Sequence, residues 1–533
     1  MFQRLMRLCV VVLMFGVAGC DSGVNRSPAD VLGMAANLSS MITLDPAAIA
    51  ESLTGGIMRN VCEPLLVLNE EDASQVMPGI AERWSVNEDF TIYTLHIRPN
   101  LTFPSGNPVT AHDVAWSMSR SLQLNLASSQ RLKEWGFSKE NIGAMVRAID
   151  DLTLEIRPPK KYSPSLFLYA LADYRTTHAL DRVEVLSHEL DHDLGNDWLT
   201  RNTACYGPFR VHTWRAQDVL ILERNDEWKR RDNPIRRVVV RHIPEPGMQR
   251  LMLEKGDIDL ASNLDPSDLN AIEENPNTYL KRTPTFSIIY MAFNRDTPAF
   301  SDLRFIKAIR YLIDYDTLAA TVLNQVAMVR QAPVPLGMFG ALPESFRPFK
   351  LDIDKARELL KEAGVVEGYS FELMVPNSSP YPDIAQHLQE NLLKVGVEVK
   401  IITLSSGHLF TQLRARKFQA YIGGYAFNYP DANNEMLRFG YNPKNSPDNS
   451  ASVAWRTGWD PGDWFNDTVM KAQMEADPVK REKLYHELQR YYVENSPVVF
   501  LFQRLGVRAL SRNVLSIKAN AVTLSFASAV KKQ

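Results

Sequence analysis

Hydrophobic and polar positions alternate most cleanly at Tyr93, Leu95 and Ile97, with Thr94 and His96 between them. That is the period of a strand with one buried face. Pro99-Asn100 breaks the run, Leu101 and Phe103 resume it, and Pro104-Ser105-Gly106-Asn107 predicts a turn. The period then lengthens: Ala111, Val114, Ala115, Met118 and Leu122 share one face of a helix. Thr110 is its N-cap and Asp113 an acid at N3. Further on, strands are predicted over 209–214, 219–224 and 238–243, then a helix with Leu251 and Leu253, a turn at Gly256, and a strand through Ile258. Residues 286–293 form an apolar strand, and Ile306, Ile309 and Ile313 mark the next helix. Asp352 or Asp354 caps a helix with Ala356, Leu359, Leu360 and Ala363 inside and Gly364 as its stop. A strand at Phe371, Leu373 and Val375, a helix over 382–392 and a strand over 397–401 follow; that alternation predicts a βαβ layer and a mainly parallel sheet. After Ser496-Pro497 a short apolar strand runs to Phe502.

Composition adds scale. With 533 residues, 45% hydrophobic and 23% charged, the chain has enough material for two or three lobes. Its start has the pattern of a targeting segment: Arg4 and Arg7, an apolar run over 8–17, then small residues before Cys20. The run is shorter than the ~20 residues that a spanning helix needs. Val17-Ala18-Gly19-Cys20 resembles a bacterial lipobox, which implies cleavage before Cys20 and lipidation of its sulfur. A plain secretory peptide cut nearby is the alternative. Asp21 further resembles an inner-membrane retention signal. Cleavage leaves 57 basic and 62 acidic side chains, a charge of −5, which argues against nucleic acid or a polybasic membrane surface as partner. Cys62 and Cys205 then remain, either as a disulfide or as two buried thiols.

The elements around the first strand carry a resemblance. Pro78-Gly79-Ile80-Ala81, Trp84, Ile97-Arg98, Phe103-Pro104-Ser105-Gly106, Thr110-Ala111-His112-Asp113-Val114 and Arg120 follow one another in the order of a known signature. It resembles that of family 5 extracellular solute-binding proteins, the oligopeptide- and dipeptide-binding components of ABC importers. Thr43-Leu44-Asp45-Pro46, Asn60 with Glu63 and Leu65, Gly207-Pro208-Phe209, Arg224-Asn225 with Trp228, and Phe300-Ser301-Asp302 with Arg304 are similar to further elements of that family. The resemblance implies a two-lobed α/β fold, periplasmic-binding-protein-like (type II, cluster C). Lobe I has an extra subdomain and a two-strand hinge joins the lobes. It assigns 1–19 to a signal peptide and 20–29 to a tether. Residues 30–70, 200–285 and 496–533 go to lobe I, 71–199 to its inserted subdomain and 286–495 to lobe II. The hinge strands fall near 286–293 and 498–503. It implies a monomer that captures a solute, foremost a peptide, and delivers it to a permease whose ATPase is another chain. A sugar, opine, metal chelate or haem is the alternative ligand, and an envelope sensor or assembly factor the alternative role.

The same resemblance points to a site. Glu51 and Ser52 lie in the stretch that approaches the ligand in relatives, although 50–60 also reads as a plain connecting helix. Tyr425, Ala426, Phe427, Asn428 and Asp431 lie in the segment similar to the family's G-W-x-x-D-Y-x-D loop, whose aspartate holds the peptide amine. Asn428 stands where that aspartate would be. A neutral amide cannot neutralise an ammonium, so either Asp431 or Glu51 takes the amine or the ligand has none. His188-Glu189-Leu190-Asp191-His192 matches H-E-x-x-H, which on a helix places two imidazoles for zinc. Leu186, Leu190 and Leu194 instead make it the apolar stripe of a surface helix, and no third ligand follows. There is no Walker A loop, no G-x-S-x-G and no complete metal-ligand spacing, so neither a cofactor nor catalysis is expected.

Overall fold

Two long strands run side by side through the molecule, Thr278–Phe293 and Val498–Ser511. They are antiparallel, from Thr278 opposite Ser511 to Ala292 opposite Val498. The computed structural model describes residues 28–532 except 263, 324, 325, 428, 448 and 449. One eleven-stranded mixed sheet is built outward from this ribbon. On one side stand Ala420–Ala426, then Tyr369–Pro376, then Val397–Leu404. On the other stand Leu260–Ala261, Val31–Ala36, Arg237–His242, Val219–Arg224 and Phe209–Arg215. The βαβ reading holds locally, since Tyr369–Pro376 is parallel to both Val397–Leu404 and Ala420–Ala426.

Each end of the ribbon enters a different core. Leu32, Leu44, Leu95, Phe209 and Phe526 belong to one buried cluster, and Ile288, Phe305, Leu373, Tyr421 and Phe502 to another. These are the two lobes. The ribbon changes partners where its register slips: Pro284 faces Leu505, but Ile288 already faces Gln503. Buried Gln503 satisfies the opened ladder, its Nε2 donating to Thr285 O (2.9 Å) and Leu336 O (3.0 Å) while its Oε1 accepts from Leu336 N–H (2.8 Å). The Val498–Ser511 strand is longer than the apolar run to Phe502 suggests. Arg504 to Arg508 break the hydrophobic pattern, and pairing with 278–284 rather than burial keeps them extended.

In lobe I, Tyr93, Leu95 and Ile97 are buried as their alternation predicts. They sit in a four-stranded antiparallel sheet of Ala81–Val86, Tyr93–Ile97, Thr153–Ile156 and Val146–Ala148. Helix Ala111–Leu124 begins with the full capping box of Thr110 and Asp113. Leu101 and Phe103 do not resume a strand; Thr102 makes one isolated bridge to Pro108. Cys62 and Cys205 are bonded as a disulfide. Beside it the chains touch so closely that a Cβ on Gly207 would collide with Val61 O.

The motif residues hold one another. Arg120 reaches from its helix to Asp45 through two bonds, Nη1 to Oδ1 at 2.9 Å and Nη2 to Oδ2 at 2.7 Å. Asn196 Nδ2 (2.7 Å) and Ala47 N–H (2.9 Å) complete the carboxylate's shell. Glu63 accepts from Trp228 Nε1 at 2.6 Å, and Asn60 bonds the 524–526 strand on both faces of its amide. Asp45 and Arg120 are almost wholly excluded from water, so removing one strands the other's charge. Asp45→Ala is expected to cost about 3–5 kcal/mol of stability, read as a lowered urea midpoint at unchanged slope.

Candidate functional site

The cleft between the lobes is built from one short helix, one strand end and the hinge. Helix Ser52–Met58 starts at Glu51, whose carboxylate accepts from Leu53 N–H and Thr54 N–H, each at 2.7 Å. Residues 52–58 are thus a short helix, and its first turn faces the cleft. A Cβ on Gly55 would sit 2.9 Å from Tyr174 Oη, so only glycine lets the helix lie this close. Opposite lie Ala426 and Phe427 at the end of the Ala420–Ala426 strand, and Gly506 to Arg508 of the ribbon form the floor. Together they enclose about 520 Å³. Glu51, Ser52, Ala426 and Phe427 thus share one cavity.

Tyr425 stands at a partition. Its Oη accepts from Arg438 Nε at 2.7 Å, and its ring lies 4.8 Å from that of Phe427. Beyond Arg438 is a second cavity of about 400 Å³, lined by Trp135 and Tyr162 of lobe I and Tyr429, Asn434 and Gln473 of lobe II. The lobes touch there: the rings of Trp135 and Tyr429 are 5.2 Å apart, and Ser163 N–H donates to Gln473 O at 2.8 Å. Helix Ser129–Glu134 serves both cavities, Arg131 facing the first and Glu134 the second.

The strand end offers backbone. Phe427 N–H donates to Phe286 O at 2.9 Å. Alternate residues of an antiparallel strand point both backbone groups at their partner, so Gly424 and Ala426 turn theirs to the opposite edge. The neighbour on that edge pairs only through Leu373 and Met374, opposite Ala420 and Tyr421. Two residues later it reaches Pro376, which has no N–H to give. Tyr381 closes over Gly424. Ala426 is exposed on the cavity, with no ladder partner on that edge among the described residues.

Charge gathers on the lobe I wall. Asp173 is gripped by Arg175, whose Nε and Nη2 donate at 3.1 and 3.0 Å. Burial works against the Asp173 carboxylate, yet Arg175, Arg59 and Arg131 hold it below the usual carboxylate range. Burial pushes the Arg59 and Arg131 guanidiniums down and the Tyr174 phenol up to about 12.

One expected residue falls elsewhere, and two are not described. Asn428 lies outside the described residues, as does Cys20. Asp431 is fully buried on the lobe II side, its two oxygens each 2.7 Å from Arg481 Nη atoms and one also accepting from Asn433 N–H. Burial opposes the Arg481 charge, but Asp431 outweighs it and raises that pKa. Full burial and the pairing with Arg481 therefore keep Asp431 from a ligand amine in the cleft. H-E-x-x-H is not helical: the helix is Arg182–Ser187, and Asp191, His192 and Leu194 have φ of 48°, 62° and 54°. Leu190 points to solvent instead of continuing an apolar stripe, and the His188 ring stacks on Trp198 at 4.4 Å. Arg131, Arg175, Arg438 and Arg508 were missed, because no periodicity tells which surface arginine a cleft will enclose. Asp431→Asn is expected to lower stability by about 3–5 kcal/mol in a denaturant titration, with the ligand's charge preference in calorimetry unchanged.

Comparison with known proteins agrees with this architecture. The family model for bacterial extracellular solute-binding proteins, family 5 (middle), matches residues 75–447. The chain is 24% identical over 489 residues to the probable D,D-dipeptide-binding periplasmic protein DdpA of Escherichia coli K12, covering 91% of this chain and 90% of that one. It is 24% identical over 455 residues to the dipeptide-binding protein of the same organism, covering 80% and 81%. Among solved structures, HbpA2 from Haemophilus parasuis superposes with a TM-score of 0.80 at 21% identity, covering 94% of this chain and all of that one. With most of its length matched by the family model, the chain belongs to the family 5 bacterial extracellular solute-binding proteins.

Proposed function

We propose that this protein is the capture component of an ABC importer, which closes its two lobes on a short peptide and presents it to a membrane permease. The observation that carries the peptide reading is the open backbone edge at Ala426, facing a cavity at the lobe boundary. An extended peptide completes such an edge as an added strand, its backbone supplying affinity while side chains enter flanking pockets. Glu51 and Ser52 would contact it from lobe I, and Tyr425 and Phe427 from lobe II. With Asp431 fully buried against Arg481, Glu51 is the carboxylate of the predicted set that lines the cavity, where a free amine would share it with the helix N–H groups it caps. The names of the dipeptide-binding relatives support the same class of ligand. Closure would bend the ribbon between Pro284 and Ile288, where its ladder is already interrupted. A ligand favours the closed state by its greater affinity for it.

We further propose that the protein acts as a monomer held at the inner membrane by a lipid on Cys20. Among the described residues no helix is long and apolar enough to cross a membrane. Cys20→Ser is expected to leave an unlipidated precursor, seen as loss of lipid mass on the N-terminal fragment; wild-type protein with a free Cys20 thiol would refute the anchor.

Peptide capture is tested by incubating the protein with a mixed tri- and tetrapeptide library and identifying retained ligands by mass spectrometry. A retained peptide is expected to bind about tenfold more weakly when N-methylated at the residue facing Ala426, a loss of about 1.4 kcal/mol. An empty protein after the library, with a sugar or metal chelate bound instead, would replace the reading.

A further inference from the structure

The cavity between the lobes is electrically lopsided. Arg59, Arg131, Arg175 and Arg508 line it, and the carboxylates set against them are Glu51 and, behind Arg175, Asp173. Four cations against these two anions and Glu134, which pairs with Arg131, leave one positive charge over, in a chain whose formal net charge is −3. Both carboxylates are already engaged, Glu51 by its own helix N-terminus and Asp173 by Arg175. Arg59 lies over the Tyr174 ring at 4.8 Å, and Arg131 makes only a 3.7 Å pair with half-exposed Glu134.

Arg508 is the sharpest case. It lies on the ribbon two residues past Gly506, at the hinge, and makes no hydrogen bond or ion pair with any described residue. Its Nη1 is shut off from solvent, and burial lowers its pKa with no neighbouring charge to oppose the shift. Tyr174 Oη, on the same cavity, is likewise buried without a partner. The rest of the Arg508 side chain is part-exposed, but a partly desolvated cation without a counter-charge still costs stability. Such a group is explained when its counter-charge arrives with the ligand. A guanidinium is also the cation best shaped to meet a planar acidic group through two bonds.

Resting on the reading that this cleft captures a solute, we infer that the solute is an anion, whose acidic group is held by Arg508 on the hinge strand together with Arg131 and Arg59 on lobe I. In a peptide that group is either the C-terminal carboxylate or an acidic side chain. Closing the lobes removes water from the pair and strengthens it.

Ala-Glu-Ala and Ala-Gln-Ala, each as free acid and as C-terminal amide, are titrated calorimetrically into wild type, Arg508→Gln and Arg131→Gln. Wild type is expected to prefer an acidic form over its neutral counterpart by at least tenfold, and both variants to lose most of that preference. Loss on amidation assigns the group to the C-terminus, and loss on exchanging Glu for Gln assigns it to the side chain. Equal affinity of wild type for all four peptides overturns the inference and leaves peptide capture standing. If no peptide binds, peptide capture fails, and glutarate at constant ionic strength decides the anion question. A rise in the wild-type melting temperature that both variants lack supports the inference, and no rise overturns it.

Discussion

The paired strands Thr278–Phe293 and Val498–Ser511 are the constraint on which the rest depends. They carry a single sheet across the molecule while each end is buried in a different core. Each lobe has its own close-packed core, and the two also meet beside the ribbon, where Trp135 lies against Tyr429. The ribbon can bend where its ladder is already open, between Pro284 and Ile288, and there Gln503 supplies the hydrogen bonds that the strands do not make to each other.

Charges follow the same division. Inside the lobes several are paired, Asp45 with Arg120, Asp431 with Arg481, Glu63 with Trp228 and Arg230, while buried Arg310 and Arg330 donate to backbone carbonyls instead. An unpaired ion in either core would cost several kcal/mol, and a closed pair also fixes which segments lie together. Across the cleft the balance fails, with arginines in excess and Arg508 without a partner among the described residues. Closed pairs mark residues that maintain the lobes, apart from the arginines that line the cleft.

That separation explains what was legible. The signature residues are mostly architectural: Arg98 donates to Gly79 O, Arg120 holds Asp45, and Trp228 holds Glu63. Such pairs need particular residues at particular spacings, so they can be read along a chain. The same cause misled the site assignment at Asp431, whose neighbours in sequence point to a ligand loop while its side chain turns into lobe II to meet Arg481, fifty residues on. It also misled the reading around His188, where an apolar spacing suggested a helix that in fact stops at Ser187, ahead of left-handed backbone at Asp191 and His192.

By itself, then, the sequence determined the elements whose causes are local: the alternation of Tyr93, Leu95 and Ile97, the box of Thr110 and Asp113, the cap of Asp352 with its stop at Gly364. Through its signature it also determined the family and the two-lobed plan. Tertiary structure alone decided that Cys62 bonds Cys205, that the second hinge strand continues to Ser511, and which side chains face the cleft. Arg59, Arg131, Arg175 and Arg508 are separated by tens to hundreds of residues and no local period links them. Their charges add only because folding brings four segments around one cleft, where partial burial screens each charge less than open water would.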